Sequence, residues 1–117
     1  MYVGSVVIDC NDLPAMAAFW QQALGYVPRD PPEADFAVLR DPRGGQVNIS
    51  LQVVPEHRAG KNRLHLDLYT DKQAEEVRRL LELGATLHAR TTEQDDDFIA
   101  LQDPEGNVFC IVDTAGH

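Results

Sequence analysis

The residues best suited to chemistry lie on one alternating segment, residues 63–69, which reads Arg-Leu-His-Leu-Asp-Leu-Tyr. Successive side chains of a β-strand point to opposite faces. We therefore expect the three leucines to pack on helices and the other face to carry Arg63, His65, Asp67 and Tyr69. An imidazole beside a carboxylate can serve as a general base or bind a ligand by hydrogen bonds. His65, tuned by Asp67 or Asp9, is the candidate catalytic pair, and a structural imidazole bridging two strands is the alternative.

Two further segments are also predicted to form strands with a partly polar face. As strands, residues 3–9 place Ser5, Val7 and Asp9 on one face and residues 47–53 place Asn48, Ser50 and Gln52 on one face. Three strands with a semi-polar face predict a shared concave pocket rather than a solvent-facing sheet. The predicted ligand-binding residues on these faces are Ser5, Asp9, Asn48, Ser50, Gln52, Arg63, His65 and Asp67. Arg63, with Lys61, could bind an anionic ligand; an ion pair of Arg63 with Asp67 or Asp9 is the alternative.

An internal repeat indicates how these segments are arranged. Residues 36–44 and 98–106 match at Phe, Leu, Asp, Pro and Gly with a constant offset of 62. In both copies Asp-Pro-x-Gly follows an apolar run and precedes another, as suits a type I turn. Each copy is therefore predicted to end in a β-hairpin.

A helix pattern precedes each hairpin. Asp12 can cap a helix over about 13–24, and Asp71 can cap one over about 72–83. Each pattern ends at a glycine, and Trp20 lies on the apolar stripe of the first helix, where we expect core packing.

Strands complete the two copies. Segments 3–9 and 63–69 precede the helices, and 26–29 and 86–90 can supply the extra strands, with prolines shortening the former. The order β-α-β-β-β therefore occurs twice, in one domain of residues 1–117 with modules of about 1–54 and 63–113.

Charge and composition exclude several classes of function. The net charge is −9, and no cluster of Lys and Arg is dense enough for nucleic acid or for an anionic membrane surface. No apolar run reaches the roughly 20 residues of a membrane span, and the first residues do not resemble a secretion signal. The two cysteines form no disulfide framework, so we expect a cytoplasmic protein.

The pattern resembles the vicinal oxygen chelate superfamily, which includes glyoxalase I, bleomycin-resistance proteins, fosfomycin-resistance enzymes and extradiol dioxygenases. The resemblance rests on Phe19-Trp20, on Leu24-Gly25-Tyr26 and on Asp-Pro-Glu-Gly-Asn at 103–107. Residues 61–67 further resemble a glyoxalase-like subgroup. The resemblance implies an α+β fold in which tandem βαβββ modules form a half-open, cupped β-sheet with helices outside. It also implies a homodimer, for which the exposed edges of a small sheet give a physical motive.

Metal-dependent members of the superfamily hold a divalent ion with four inward residues, usually His, Gln or Glu. Carried over by motif, these positions are Ser5, Asn48, His65 and Cys110, which adds Cys110 to the predicted ligand-binding residues. Only His65 is a ligand of the usual type. We therefore predict no metal and no cofactor, with Asp9 and Asp67 as the residues that could support a displaced site.

Three functions remain open. The preferred one is a metal-independent protein that binds a small molecule in the cup, of the resistance or sequestration type. The alternative is a lyase or isomerase in which His65, with Asp67 or Asp9, transfers a proton. The third is a non-catalytic module that acts through its dimer surface.

Overall fold

Two compact units, residues 1–57 and 58–117, make up the chain. The structure is a computed structural model and describes residues 1–57, 59–60, 62, 64–90 and 98–115. Among these described residues, each unit contains one helix and one four-stranded mixed sheet in the order β-α-β-β-β. The predicted α+β class with tandem βαβββ modules is therefore confirmed. Within the described ranges, no helix has both the length and the apolar character needed to cross a membrane.

The elements of the first unit are β1 (Ser5–Cys10), α1 (Leu13–Leu24), β2 (Val27–Pro28), β3 (Phe36–Arg40) and β4 (Asn48–Val53). The sheet order is β1-β4-β3-β2, with β1 parallel to β4 and the other neighbours antiparallel. The short β2 agrees with the prediction that prolines shorten this strand.

The elements of the second unit are β5 (Asp67–Thr70), α2 (Gln73–Leu83), β6 (Thr86–Arg90), β7 (Phe98–Gln102) and β8 (Val108–Asp113). This unit repeats the topology of the first with sheet order β5-β8-β7-β6, and β5 is parallel to β8.

The two helices begin differently. Helix α1 has its predicted bounds, and the side chain of Asp12 accepts a hydrogen bond from the Ala15 amide at 3.1 Å. The prediction that Asp71 caps α2 is wrong, because Lys72 occupies the N-cap and makes no side-chain cap bond. The amide of Lys72 instead donates to Thr70 Oγ1 at 3.0 Å. Acidic residues in the first turn of α2 favourably face the positive end of the helix dipole.

Strand β5 is shorter than predicted. It begins at Asp67, so His65 precedes the strand rather than lying within it. Pairing with β8 extends back only to Leu66, whose carbonyl accepts a hydrogen bond from the Cys110 amide at 2.9 Å. Leu64 is 81% exposed, so the expectation that all three leucines pack on helices is wrong for this residue. Leu64 lies beyond the paired part of the strand, where the sheet no longer directs alternate side chains to its two faces.

Each unit packs its own apolar face. In the first unit Trp20 is 1% exposed and meets Phe19 edge to face at a centroid distance of 5.1 Å. The prediction that Trp20 is a core residue is therefore confirmed. In the second unit the helix contributes Leu80, and the strands contribute Leu101, Phe109 and Ile111, all buried.

A buried carboxylate organises each hairpin turn. Asp41 accepts hydrogen bonds from the amides of Arg43 and Gly45, and Asp103 accepts from the amides of Glu105 and Asn107. Both Asp-Pro-x-Gly turns are closed by an amide of the glycine donating to the aspartate carbonyl. The connections differ in length, since β4 begins seven residues after Asp41 and β8 begins five residues after Asp103. Because of this difference, residues at the same distance from the two turn aspartates do not occupy the same position in β4 and β8.

Candidate functional site

A histidine and a carboxylate meet on the polar face of the second unit. The Nε2 atom of His65 lies 3.1 Å from Oδ1 of Asp67, and the two side chains are 53% and 46% exposed. Even a charged pair at this exposure contributes only about 0–1 kcal/mol to stability. The pair is therefore accessible to a ligand and is not needed to hold the fold together.

A thiol completes this group. Asp67 and Cys110 are register partners in the parallel β5–β8 pair, so their side chains leave the same face of the sheet. One ligand atom from each of His65, Asp67 and Cys110 lies within 4.8 Å of the others. We call these three residues the His-Asp-Cys cluster. Cys110 is only 9% exposed, so its thiol forms the floor of the cluster beneath two half-exposed side chains.

The environment of Cys110 keeps its thiol protonated. Burial raises the pKa of Cys110, and the negative charge of Asp67 raises it further. Nucleophilic cysteines require the opposite effect, a pKa lowered by nearby positive charge. Cys110 is therefore suited to lining a site or binding an ion that displaces its proton, and not to acting as an activated nucleophile.

The first unit carries a corresponding face on its own sheet. Ser5, Val7 and Asp9 are in register with Asn48, Ser50 and Gln52, so these side chains share one face of the first sheet. The hydroxyl oxygens of Ser5 and Ser50 are hydrogen-bonded at 2.5 Å. Ser50 is 2% exposed, whereas Asp9 and Gln52 are exposed.

The strand register within each sheet shows which residues of the two polar faces occupy corresponding positions. The pairing of Val7 with Ser50 in the first unit corresponds to that of Asp67 with Cys110 in the second, sixty positions later. Ser5 likewise lies sixty positions before His65. The hydrogen-bonded serines thus occupy the positions that the second unit fills with imidazole and thiol.

The longer first hairpin changes which residue of the first unit corresponds to Cys110. Counting seven residues from the aspartate of each Asp-Pro-x-Gly turn relates Asn48 to Cys110. The first connection is two residues longer, however, so the residue that occupies the position of Cys110 in the first sheet is Ser50. Asn48 shares the face of Ser50 and stays a predicted ligand-binding residue.

Other predicted site residues divide between the units. The structure pairs His65 with Asp67, one of the two carboxylates predicted to tune it. Asp9 lies on β1 of the first unit. Arg63 and Lys61, predicted to bind an anion, lie outside the described residues.

Sequence reasoning did not anticipate the burial of the two turn carboxylates. Asp41 and Asp103 are 3% and 2% exposed, and their oxygens accept hydrogen bonds from the turn backbone. An aspartate at the first turn position is the signal that could have identified them. They organise the turns that lead into β4 and β8.

Solved structures with the same fold define the class of protein. A glyoxalase/bleomycin resistance protein/dioxygenase family enzyme from Burkholderia phytofirmans PsJN is 25% identical, with a TM-score of 0.76 over 95% of this chain and 97% of that one. A member of the glyoxalase/bleomycin resistance protein/dioxygenase superfamily from Sphaerobacter thermophilus DSM 20745 is 23% identical, with a TM-score of 0.70 over 97% of each chain. The E126Q mutant of the fosfomycin resistance protein FosX from Listeria monocytogenes, complexed with Mn(II) and 1S,2S-dihydroxypropylphosphonic acid, is 14% identical. Its TM-score is 0.76 over 95% of this chain and 88% of that one. The fold is that of the vicinal oxygen chelate superfamily.

The family itself is defined by sequence. A family model described as a glyoxalase-like domain matches residues 5–112, and the chain belongs to this family. A search of the curated proteins finds no match.

The His-Asp-Cys cluster suits some metal ions and not others. Mn²⁺ and Mg²⁺ favour carboxylate, carbonyl and water oxygens, and the cluster supplies one carboxylate beside an imidazole and a thiol. Hard ions therefore do not fit this set. Zn²⁺ accepts cysteine sulfur, histidine nitrogen and carboxylate oxygen, and its catalytic sites use three protein ligands. The donor chemistry of the cluster thus fits an ion of the zinc type.

Proposed function

We propose that this chain binds a small polar molecule at the His-Asp-Cys cluster, in the manner of a resistance or sequestration protein and without a hard divalent ion. The observation that carries the proposal is the half-exposed His65–Asp67 pair above a nearly buried Cys110. This arrangement offers a ligand a hydrogen-bond donor, a carboxylate acceptor and a less polar floor. Small-molecule sites commonly combine an apolar lining with a few such polar groups.

The exposure of the pair supports a binding role. Among the residues that the structure describes, every buried side-chain nitrogen and oxygen of the non-exposed residues has a hydrogen-bond partner. The fold therefore meets its internal hydrogen-bonding needs while His65 and Asp67 stand about half in solvent. A ligand would replace water at these groups rather than disturb the core.

A thermal-shift screen tests this proposal. The chelator-treated chain is screened with small carbonyl, hydroxyl and drug-like compounds. A ligand at one hundred times its Kd stabilises a protein by about 2.7 kcal/mol. We expect His65→Ala to abolish the shift and His88→Ala, an exposed histidine on β6, to retain it. A screen without any stabilising compound, or a shift that His65→Ala leaves unchanged, contradicts the proposal.

Proton transfer is a second candidate function, favoured by the 3.1 Å contact between His65 Nε2 and Asp67 Oδ1. If Nε2 donates to the carboxylate, the imidazole is held in one tautomer and Nδ1 carries the basic lone pair. Such a base can remove a proton adjacent to a substrate carbonyl, as a lyase or isomerase requires. Here His65→Ala abolishes turnover and leaves the fold intact, whereas Asp67→Asn lowers kcat. Unchanged turnover in His65→Ala removes this residue from the mechanism.

We also propose that the chain forms a homodimer. Several large apolar side chains are exposed and could be covered by a second copy, among them Val7 at 51% and Phe98 at 40%. Light scattering after size exclusion is expected to give twice the chain mass of 13.0 kDa. A single-chain mass at micromolar concentration contradicts the dimer.

We further propose that the protein is cytoplasmic. Cys10 and Cys110 are both buried thiols, and a reducing compartment keeps cysteines in the thiol form. Secretion of the natural protein contradicts this location.

A further inference from the structure

We propose that Tyr69 and Phe98 form an aromatic clamp that holds a flat ring of the small molecule beside the His65–Asp67 pair. The class of ligand is therefore an aromatic compound that carries a hydrogen-bonding group at the end of a short chain. The inference rests on the proposed function and deepens it, because it adds a site for an apolar ring next to the polar groups.

The strand register places both rings on the face that carries the cluster. Tyr69 is the partner of Val112 in the parallel β5–β8 pair, and Phe98 is the partner of Val112 in the antiparallel β7–β8 pair. The three residues therefore form one row across the second sheet. Tyr69 and Val112 lie two residues along their strands from Asp67 and Cys110, so the two rows point to the same face.

The spacing within this row suits one ring of a ligand. Tyr69 and Phe98 lie on strands separated by β8, and neighbouring strands are about 4.8 Å apart, so the two backbones are roughly 9–10 Å apart. A ring that contacts a ring on each side needs roughly 7–8 Å between the outer two, because carbon atoms in contact lie about 3.5–4.0 Å apart. A single flat ring therefore fits between the two side chains, over the half-buried Val112.

Both clamp side chains stand in solvent. Tyr69 is 71% exposed and Phe98 is 40% exposed. Aromatic side chains carry a large apolar surface, and two of them exposed on one face mark a place where an apolar group can be covered. A ring inserted between them would bury part of both surfaces and stack on their faces.

The adjacent row leaves a path from the clamp to the polar groups. Cys110 pairs with Ala100 in the β7–β8 ladder, and these small side chains are 9% and 5% exposed. Alternate residues of a strand are roughly 6–7 Å apart, which is the distance that the ligand must span between its ring and its polar group. A short alkyl chain can pass over Cys110 and Ala100 and bring a donor group to the carboxylate of Asp67.

The first unit does not repeat the clamp. Its corresponding row consists of Asp9, Gln52 and Phe36. Two polar side chains thus stand where the second unit has Tyr69 and Val112. The aromatic pair is a feature of the unit that also carries the His65–Asp67 pair, which supports a joint role in binding one ligand.

An NMR titration of the isotope-labelled full chain tests the inference. The probes are hydrocinnamamide, a phenyl ring joined to an amide by two methylene groups, and its cyclohexyl counterpart. We expect the backbone amide signals of Tyr69, Phe98 and Val112 to shift when the phenyl compound is added. The phenyl compound should bind about two- to tenfold more tightly than the cyclohexyl compound, which is the gain that aromatic pairing provides beyond the burial of area.

Matched variants locate the clamp. Tyr69→Leu and Phe98→Leu should each weaken binding of the phenyl compound at least about threefold, whereas Tyr69→Phe keeps the ring and should retain it. Tyr2→Leu, at another exposed tyrosine, should also bind as wild type does. The inference is overturned if the wild-type chain binds neither probe, if the cyclohexyl compound binds as tightly as the phenyl compound, or if Tyr69→Leu binds as wild type does. Since Tyr69 is mostly exposed, this last variant is expected to fold.

The clamp and the proposed function can fail separately. If a compound binds through His65 with an affinity that Tyr69→Leu and Phe98→Leu leave unchanged, the clamp fails and the proposed function stands. If the phenyl compound binds through Tyr69 and Phe98 but His65→Ala leaves its affinity unchanged, the clamp stands and the proposed role of His65 fails.

Discussion

Asp67 and Cys110 are register partners across the parallel β5–β8 pair, which places a half-exposed carboxylate beside a nearly buried thiol. The carboxylate also contacts His65 at 3.1 Å. We therefore expect the charge of Asp67 to affect the reactivity of Cys110 and the properties of the His65–Asp67 pair.

The reactivity of Cys110 should depend on the charge of Asp67. Burial and the Asp67 carboxylate both raise the pKa of the Cys110 thiol, so little thiolate is present at neutral pH and more forms as the pH increases. Asp67→Asn removes the repulsive charge, lowers the pKa and should accelerate alkylation by iodoacetamide a few-fold at pH 8. Peptide mass spectrometry separates Cys110 from Cys10. Glu82→Gln, an exposed change on α2, serves as the control, and an equal or slower rate in Asp67→Asn contradicts the assignment.

The His65–Asp67 pair should matter little for stability. Both side chains are about half exposed, and exposed pairs contribute about 0–1 kcal/mol. His65→Ala and Asp67→Asn are therefore expected to change the free energy of unfolding by less than about 1 kcal/mol in urea denaturation. A loss of several kcal/mol in either variant would identify the pair as structural and argue against its role in binding.

Asp103 should be the more important carboxylate for stability. It is 2% exposed and accepts hydrogen bonds from the backbone of Glu105 and Asn107. Asp103→Ala leaves these amides without their acceptor and should destabilise the chain by about 1–3 kcal/mol. Asp113→Ala, which removes a single bond to the Ala115 amide near the end of the chain, should cost less. Equal losses in the two variants would show that turn burial does not determine the effect.

Asp41 should contribute to acid sensitivity. The pKa of Asp41 is lowered chiefly by a hydrogen bond from the Arg43 amide, assisted by the Arg43 side chain. A lowered folded-state pKa gives stability that is present above the ordinary value of about 4 and is lost as the pH falls through the folded-state value. The stability difference between wild type and Asp41→Asn should therefore shrink as the pH falls below about 4. Urea denaturation across this range measures it, with Asp30→Asn as the exposed control. Parallel pH profiles for wild type and Asp41→Asn would contradict the prediction.

Local patterns were sufficient to predict most elements. The capping aspartate, apolar stripe and closing glycine predicted α1 with its observed bounds, and residues 86–90 form β6 as expected. The same reasoning failed at α2, where Lys72 and not Asp71 is the N-cap. It also failed at Leu64, because alternation in the sequence continues beyond the part of the strand that is paired.

The sequence by itself determined the duplicated β-α-β-β-β order, the two hairpin turns and the presence of His65 and Asp67 on one alternating segment. These properties depend on contacts between near neighbours in the chain, which residue spacing records directly. Only the tertiary structure decided that Cys110 lies beside Asp67, and that Ser50 occupies in the first unit the position that Cys110 occupies in the second. Register between distant strands depends on loop lengths and core packing, and two extra residues in the first hairpin connection were enough to shift the equivalence away from Asn48.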